Sequence, residues 1–378
     1  MKIKQLSNID KPQILLQKLG VDGGGIDILA SKMKHYIIYI YDLHVGGANI
    51  LKQDALSIGA DLAVPRGTVI ASTKTVDCIL IATHKELKIL SKKELQQPFG
   101  LRELAFQLKN ILNVKKNSSP EIMGIINAND DSFFNGSRFK GNNALNKIET
   151  MIEDGADIID IGAVSSRPNA PKVGVEEELF RIKPIFDEIA KNSFYEEKKF
   201  SIDSYEPKVI EYALNSGFTI VNDITGFQND SLSKLTAQYG ATALIMHMQG
   251  TPQTMQKNPK YQDIVTDIYN FLETAISKVE AFGVQDIIVD IGIGFGKTLE
   301  HNIDLIKNLE NFLRLEKKIL VGASRKSMID AISPSKVEDR LAGTLAIHLE
   351  AVRNGASILR VHDVKEHFQA LKVFEAMR

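Results

Sequence analysis

Eight short apolar runs, each followed by a polar residue and then a helical stretch, constrain the fold of this chain more than any other feature. They cover residues 122–126, 158–161, 200–202, 219–221, 243–246, 287–289, 319–321 and 358–361. Strands buried on both faces have continuous apolar sequences, and alternation with helices indicates a parallel sheet. Eight such units in about 260 residues predict an α/β fold, a (β/α)8 TIM barrel. A doubly wound open sheet is the alternative, although it usually has fewer strands.

The segment before these runs predicts a smaller unit of a different kind. Residues 36–41 and 77–82 are typical of strands and residues 48–58 and 101–112 of helices, so we expect a small α+β fold. The glycine triplet at 23–25 follows no predicted strand, and we interpret it as a turn rather than a phosphate loop. The polar residues before Pro120 are typical of a linker. The predicted domains are an α+β extension of unassigned role over 1–115 and a barrel over 120–378.

Charge and composition exclude several classes of function. The 46 Lys and Arg residues nearly balance 47 Asp and Glu residues, which argues against nucleic-acid binding through bulk charge. No apolar run approaches the roughly 18 residues of a membrane span, and the first residues lack the apolar core of a signal peptide. Cys78 is the single cysteine, so an intrachain disulfide and a cysteine-built metal site are excluded. We therefore expect a cytoplasmic protein without nucleic-acid or membrane partners.

The polar residues that follow the apolar runs are the candidate functional residues. Because all strands of a barrel point the same way, these side chains meet at its C-terminal face, where barrel enzymes have their active sites. The set consists of Asn127, Asp203, Asn222, His247, Asp290, Lys326 and His362, with Arg360 inside the last run. Taken singly, each residue could equally be a helix cap or a hydrogen-bonding group at the barrel rim.

Two subsets of these residues suggest two kinds of ligand. Asp203, Asn222 and Asp290 could accept hydrogen bonds from the donor edge of a heterocycle such as an aminopyrimidinone, and a rim network of salt bridges is the alternative. The second subset could bind a diphosphate or a similar anion. It consists of Arg167, Lys326, Arg360 and His362. Mg²⁺ that arrives with such a substrate needs only one or two protein oxygens, and Asn127 could supply one.

The glycine-rich segment 290–298 fails both familiar phosphate motifs. A Walker A loop needs glycine at Ile291, and a dinucleotide fingerprint needs glycine at Lys297. The segment predicts a turn whose glycines let a flat ligand approach the backbone, or an ordinary tight turn between strand and helix.

The ordered motifs of the barrel region resemble those of the dihydropteroate synthase family. The matching segments are residues 123–127, 131–133, 136–139, 155–162, 165–168, 201–204, 222–224, 246–248, 250–252, 292–297, 324–327 and 360–363. The stretch from residue 48 to residue 67 is similar to the N-terminal extension of a long-form subset of the family. The resemblance implies transfer of a pterinylmethyl group from (7,8-dihydropterin-6-yl)methyl diphosphate to 4-aminobenzoate, with an SN1-like release of diphosphate. It also implies a homodimer.

The resemblance further implies a role for each matching residue. The pterin would be held by Asp203, Asn222, Asp290 and Lys326, with Met246 and Phe295 lining its pocket. The diphosphate would be held by Arg360, His362 and Asn127, the last through Mg²⁺. The second loop would be ordered near the substrates by Ser166 and Arg167. The aminobenzoate site would be shaped by Phe133, Pro168, Lys326 and Ser327. The catalytic group would comprise Asp203, Lys326, Arg360 and His362.

Two loops depart from the family pattern, and other functions are open. The departures lie at Asn129, Asp130, Val164 and Asn169, beside the implied aminobenzoate site. A methyltetrahydrofolate:corrinoid methyltransferase would share the acidic pterin-binding residues but would not need a cationic diphosphate site. A non-catalytic pterin-binding paralogue would have little use for a leaving-group site. A generic sugar-phosphate barrel enzyme would leave the Asp203, Asn222 and Asp290 set unexplained.

Overall fold

The structure, a computed structural model, describes residues 3, 4, 6, 9, 11–114, 116, 119–128, 140–164 and 173–377. Contacts within the chain divide it into two units, Met1–Val114 and Lys115–Arg378. Among the described residues, no helix is both long enough and apolar enough to cross a bilayer.

The N-terminal unit packs helices against one face of a three-stranded antiparallel sheet of order β1-β3-β2. Its elements are α1 (Pro12–Lys18), α2 (Gly23–Met33), β1 (His35–His44), α3 (Val45–Leu56), β2 (Asp61–Ala63), β3 (Thr75–Thr83), α4 (His84–Lys93), a 3-10 turn (Glu94–Gln96) and α5 (Leu101–Asn113). Alternate residues of β3, such as Cys78 and Leu80, are buried in the core of the unit. The opposite face exposes Ile37, Tyr39 and Ile81. The predicted α+β extension is confirmed.

The glycine triplet does not form a turn, and that prediction was wrong. Gly23 begins α2, and the side chain of Asp22 accepts a hydrogen bond from the backbone N–H of Gly24 at 3.1 Å. This N-cap satisfies one of the free donors of the first helical turn, which offsets the poor helix propensity of glycine.

The second unit is a closed barrel of eight parallel strands in the cyclic order β4 to β11, as predicted. The strands are β4 (Glu121–Asn127), β5 (Ile158–Gly162), β6 (Lys199–Asp203), β7 (Ile220–Asp223), β8 (Thr242–Met246), β9 (Ile287–Asp290), β10 (Lys318–Val321) and β11 (Ile358–Val361). The helices are α6 (Lys140–Glu153), α7 (Val175–Lys191), α8 (Phe194–Glu197), α9 (Pro207–Asn215), α10 (Asp230–Gln238), α11 (Ile264–Ala281), α12 (Leu299–Lys307), α13 (Ser327–Ile332), α14 (Leu341–Arg353) and α15 (Val364–Ala376), with 3-10 turns at Leu309–Leu315 and Val337–Asp339.

A layer of large apolar side chains from seven strands forms a buried core cluster of the barrel. It consists of Met123, Ile158, Ile220, Leu244, Ile288, Leu320 and Ile358. Because these side chains form a packed core rather than a pore, ligands reach the barrel only at its ends. The polar residues that follow the apolar runs are therefore presented together at the C-terminal end.

Candidate active site

A network of ion pairs and hydrogen bonds links four strands at the C-terminal end of the barrel. From β11, Arg360 Nε donates to Asp160 Oδ2 on β5 at 2.6 Å, and Arg360 Nη2 donates to Asp203 Oδ2 on β6 at 2.8 Å. From β7, Asn222 Nδ2 lies 3.3 Å from both carboxylate oxygens of Asp160. Asp160 is fully buried, so these bonds replace the water that a carboxylate otherwise needs. The network joins the predicted pterin-binding residues Asp203 and Asn222 to Arg360, which sequence analysis had assigned to the anion.

Asp160 is the residue of this network that sequence analysis missed. It lies within the apolar run 158–161, where it is the one acidic residue among three isoleucines. A carboxylate inside a strand buried on both faces needs a partner, and this was the available signal.

Burial and charge set the protonation of the network. Burial raises the pKa of Asp203 to about 7, and the nearby Asp160 carboxylate adds to the rise while Arg360 opposes it. Burial disfavours the Arg360 cation, but the Asp160 and Asp203 carboxylates outweigh it and raise its pKa. The guanidinium therefore stays charged, and Asp203 can exchange a proton near neutral pH.

Asp290 and Lys326 form a second group on the neighbouring side of the site. The Asp290 Oδ1 atom accepts a hydrogen bond from the Gly292 N–H at 2.7 Å, and burial raises the pKa of its carboxyl although Lys326 opposes this. Lys326 Nζ donates to the carbonyl oxygen of Ile293 and lies 4.5 Å from the centre of the Phe295 ring. Burial lowers the pKa of Lys326 to about 8, against the attraction of Asp290. At neutral pH Lys326 is a desolvated cation over an aromatic face.

His362 differs from the sequence expectation in its charge. Its Nδ1 lies 2.9 Å from Ser324 Oγ, and its backbone N–H donates to the same oxygen at 3.2 Å. Burial, followed by repulsion from Arg360, lowers the pKa of the imidazole to about 4. At neutral pH His362 is therefore uncharged, and it can offer an anion a hydrogen bond but no positive charge.

The contacts of His247 are with Lys297 and with neighbouring aromatic rings. Lys297 Nζ lies 2.9 Å from His247 Nδ1, and the ring meets Phe271 edge-on at 4.8 Å between centroids. Both residues are buried, and burial lowers the pKa of each, that of His247 to about 3. His247 therefore joins the loop after β8 to the turn after β9.

The glycine-rich turn after β9 fits closely against protein backbone. A Cβ atom at Gly292, where φ is +67°, would lie 1.9 Å from the carbonyl oxygen of His247. At Gly296 it would lie 2.6 Å from the carbonyl oxygen of Gln249. Glycine is therefore needed at both positions because the loop after β8 packs directly against the turn. The sequence analysis had considered close approach of a ligand, and that is not what requires these two glycines.

The remaining predicted site residues divide into two groups. Asn127 ends β4, Met246 ends β8, Phe295 lies in the turn after β9, and Ser327 begins α13, so all four lie at the C-terminal end of the barrel. Four others, with the loop departures at 129, 130 and 169, lie outside the described residues. They are Phe133, Ser166, Arg167 and Pro168.

Comparison with known proteins identifies the family. The model of the pterin binding enzyme family matches residues 123–362. This chain belongs to the pterin-binding enzymes. Within that family, it is 41% identical over 377 residues to the bifunctional dihydropteroate synthase/dihydropteroate reductase of Helicobacter pylori, covering 100% of this chain and 99% of that protein.

Relatives named only as dihydropteroate synthase match about two thirds of this chain. The dihydropteroate synthase of Haemophilus influenzae is 41% identical over 262 residues, which cover 68% of this chain and 94% of that protein. The structure of dihydropteroate synthase from Thermus thermophilus in complex with 4-aminobenzoate has a TM-score of 0.62 and 36% identity. It covers 69% of this chain and 95% of that chain.

Proposed function

We propose that this chain condenses (7,8-dihydropterin-6-yl)methyl diphosphate with 4-aminobenzoate and releases diphosphate, which is the dihydropteroate synthase reaction of folate biosynthesis. The observation that carries the proposal is the buried network of Asp160, Asp203, Asn222 and Arg360 beside Asp290 and Lys326. It places hydrogen-bond acceptors and the charged side chains of Arg360 and Lys326 together at the C-terminal end of the barrel. The barrel is similar to those of known dihydropteroate synthases.

The acceptors suit a pterin ring. Its amino and ring N–H groups need hydrogen-bond acceptors, and Asp203, Asn222 and Asp290 carry oxygens at the ends of β6, β7 and β9. A site that leaves such acceptors unpaired rejects ligands without matching donors, which makes this recognition selective. Lys326, beside Asp290, would also donate to the ring, while Met246 and Phe295 supply apolar walls.

The reaction depends on stabilising the charges that develop on the methylene carbon and on the diphosphate more than on proton transfer. The bond between the methylene carbon and oxygen breaks, and both electrons leave with the diphosphate. The carbocation left behind is stabilised by the electron-rich pterin, and the carboxyl groups of Asp203 and Asp290 add negative charge beside it when they are ionised. The lone pair of the neutral aniline nitrogen then forms the new C–N bond, and the nitrogen releases a proton. The nearby cations Lys326 and Arg360 and the His362 ring would stabilise the departing diphosphate.

A magnesium ion fits the donor chemistry at one position. Asn127 ends β4 with a half-buried amide, and the described residues contain no group of three or more His, Cys, Asp or Glu that could cage a metal. Mg²⁺ binds through one or two protein oxygens when a diphosphate and water supply the rest. When bound, the ion would neutralise charge on the diphosphate. We expect Mg²⁺ to strengthen binding of the pterin diphosphate in calorimetry, and Asn127→Ala to remove that gain.

The other site roles and the assembly follow the family resemblance. Ser166 and Arg167 would order the second loop, and Phe133, Pro168 and Ser327 would shape the aminobenzoate site with Lys326. A homodimer and a cytoplasmic location complete the proposal. Light scattering on the purified protein tests the dimer, and fractionation of the source cells tests the location.

The synthase activity is tested by mixing the purified protein with pterin diphosphate, Mg²⁺ and 4-aminobenzoate. We expect diphosphate and dihydropteroate to form in equal amounts, and only when aminobenzoate is present. Asp203→Asn should remove most of the activity, whereas Asp230→Asn, at an exposed ion pair with Lys278, should leave it unchanged. Pterin binding without any product would contradict the proposal and favour a non-catalytic or methyl-transferring relative.

We infer a second activity, reduction of dihydropteroate, from the N-terminal unit. The bifunctional relative matches the whole chain, whereas the single-function synthase matches 68% of it, a share that the barrel accounts for. The unit also has an open cleft of about 370 Å³, which Arg66, Thr68 and Asp77 help to line. This volume lies within the range of small-molecule sites, roughly 300–1,000 Å³. A reduced nicotinamide would supply a hydride to the C=N bond of the dihydropterin ring, and water a proton.

The reductase proposal is tested by following nicotinamide oxidation with dihydropteroate as acceptor. We expect oxidation to require dihydropteroate, and Arg66→Ala to slow it while the synthase activity stays at the wild-type level. Arg102→Ala, an exposed arginine of the same unit, is the matched control and should change neither activity. If the wild-type chain does not oxidise the nicotinamide either in the absence or in the presence of added flavin, this second activity is contradicted.

A further inference from the structure

Two buried histidines on the last two helices take no part in the site described above. His348 on α14 and His367 on α15 are 0% and 1% exposed. His348 Nδ1 and His367 Nε2 lie 2.9 Å apart. Two buried imidazoles in hydrogen-bond contact must share one proton between those nitrogens, because burial without a partner is costly.

Backbone groups at both ends of the pair fix the direction of its hydrogen bonds. The Ala323 N–H donates to His348 Nε2 at 3.0 Å, and His367 Nδ1 lies 2.6 Å from the carbonyl oxygen of Asp363. A backbone N–H can only donate and a carbonyl oxygen can only accept. Both rings are therefore neutral with the proton on Nδ1, and one chain of three hydrogen bonds runs from Ala323 to Asp363.

A second link joins the same two loops on the site side. The Arg325 guanidinium makes two hydrogen bonds with the Asp363 carboxylate, that from Nε measuring 3.0 Å. The Arg325 N–H donates to Thr344 Oγ1 on α14 at 3.0 Å. The histidine chain and the Arg325–Asp363 ion pair thus both connect the loop after β10 to the end of β11. The hydrogen bond between Ser324 and His362 joins the same two segments.

We propose that His348 and His367 are positioning residues that hold the loop after β10 against the end of β11 and so place Lys326 and His362 for catalysis. This inference rests on the synthase function proposed above. Lys326 follows Ala323 by three residues, and His362 precedes Asp363, so each end of the histidine chain lies within three residues of a proposed substrate-binding group. Displacing a catalytic group by about 1 Å can cost about a hundredfold in rate.

The neutral state of the pair supports this role. Burial lowers the pKa of both imidazoles, and for His348 the neighbouring His367 and Lys326 lower it further. Asp363 and Glu366 oppose the effect at His367. A proton on His348 Nε2 would face the Ala323 N–H, so charging the pair breaks the chain. The chain is therefore intact at neutral pH and is lost on acidification.

The test compares His367→Phe, which fills similar volume without hydrogen bonds, with His367→Gln, whose amide can still meet His348. Leu371→Ala, a buried position on the same helix, is the control for lost packing alone. We expect His367→Phe to lower kcat/KM for the pterin diphosphate about tenfold or more and to weaken binding of inorganic diphosphate. His367→Gln should recover part of both, and Leu371→Ala should lower the melting temperature while leaving kcat/KM unchanged.

Spectroscopy tests the chain of hydrogen bonds independently of activity. In the full chain labelled with 15N-histidine, both rings should show the Nδ1–H tautomer at pH 7, and His367→Phe should shift the His348 Nδ1 resonance because that N–H loses its acceptor. Equal kinetics for wild type and His367→Phe, or other tautomers, would overturn the inference. A wild-type protein that is inactive but binds diphosphate with the expected tautomers would instead contradict the synthase function on which the inference rests.

Discussion

Arg360 is the residue on which the electrostatics of the site depend. It lies between Asp160 and Asp203, and its side chain is 21% exposed against 0% and 13% for the two carboxylates. Without the guanidinium, two largely buried negative charges would face each other. An arginine that sequence analysis assigned to an anion thus first stabilises the protein's own carboxylates, and it meets a diphosphate from that fixed position.

Arg360→Ala should therefore cost stability as well as activity. Removing one partner of a buried ion pair costs about 3–5 kcal/mol. The pKa of Asp203 is already raised to about 7 and should rise further in the variant, so the folded variant binds an extra proton as the pH falls. The loss in the free energy of unfolding should be largest near pH 8 and smaller near pH 5, measured by denaturant titration. Arg353→Ala, at an exposed pair with Glu350, should change it by no more than about 1 kcal/mol at either pH.

Lys326 predicts a pH dependence of substrate binding. Since burial lowers its pKa to about 8, the ammonium is present below that pH and is lost above it. A hydrogen bond from a charged donor is worth about 1.5–3 kcal/mol, so affinity for the pterin diphosphate should fall about tenfold or more between pH 7 and pH 9.5. Calorimetry at these pH values measures it. Lys326→Arg, which stays charged, should bind with a flatter profile, and an equal alkaline loss in both proteins would show that another group titrates.

The residues found from sequence share one property, which is their place at the end of an apolar run. Asp203, Asn222 and Asp290 were predicted because a polar side chain after a buried strand must lie at the rim of the barrel. The partnership of Arg360 with Asp160 could not be predicted in the same way. The two residues lie 200 positions apart, and only closure of the barrel brings them together.

At the scale of elements, the turn after β9 shows why composition alone misleads. Its glycines suggested close approach of a ligand, whereas Gly292 and Gly296 accommodate the backbone of the loop after β8. The strands themselves were predictable, because strands buried on both faces have a continuous apolar pattern. The helix α2 was not, since its glycine start looks like a turn until Asp22 is seen to cap it.

Replacing Gly292 by alanine should destabilise the protein much more than replacing a glycine that has a similar positive φ but no close neighbour. Gly240 has a φ of +61° with no atom within 4 Å of an added Cβ, whereas at Gly292 the added atom meets the His247 carbonyl. Gly240→Ala should cost about 1–2 kcal/mol, the strain of a left-handed residue. Gly292→Ala should cost clearly more and should reduce pterin affinity, because the turn also carries the N–H bound by Asp290. Thermal unfolding of both variants checks this, and equal losses would mean that the loops separate easily.

At the scale of the whole molecule, each unit has a buried core of its own, and we expect the two cores to respond separately to substitution. Leu80 is fully buried in the core of the N-terminal unit, and Leu244 is fully buried in the barrel layer. Either leucine-to-alanine change should cost about 2–5 kcal/mol in its own unit. Leu80→Ala should reduce dihydropteroate reduction on mild heating while synthase activity persists, and Leu244→Ala should do the reverse. Assays of both activities after graded heating measure this. Parallel loss of both activities in either variant would show that the two units unfold as one, and that the division of the chain by contacts does not extend to its stability.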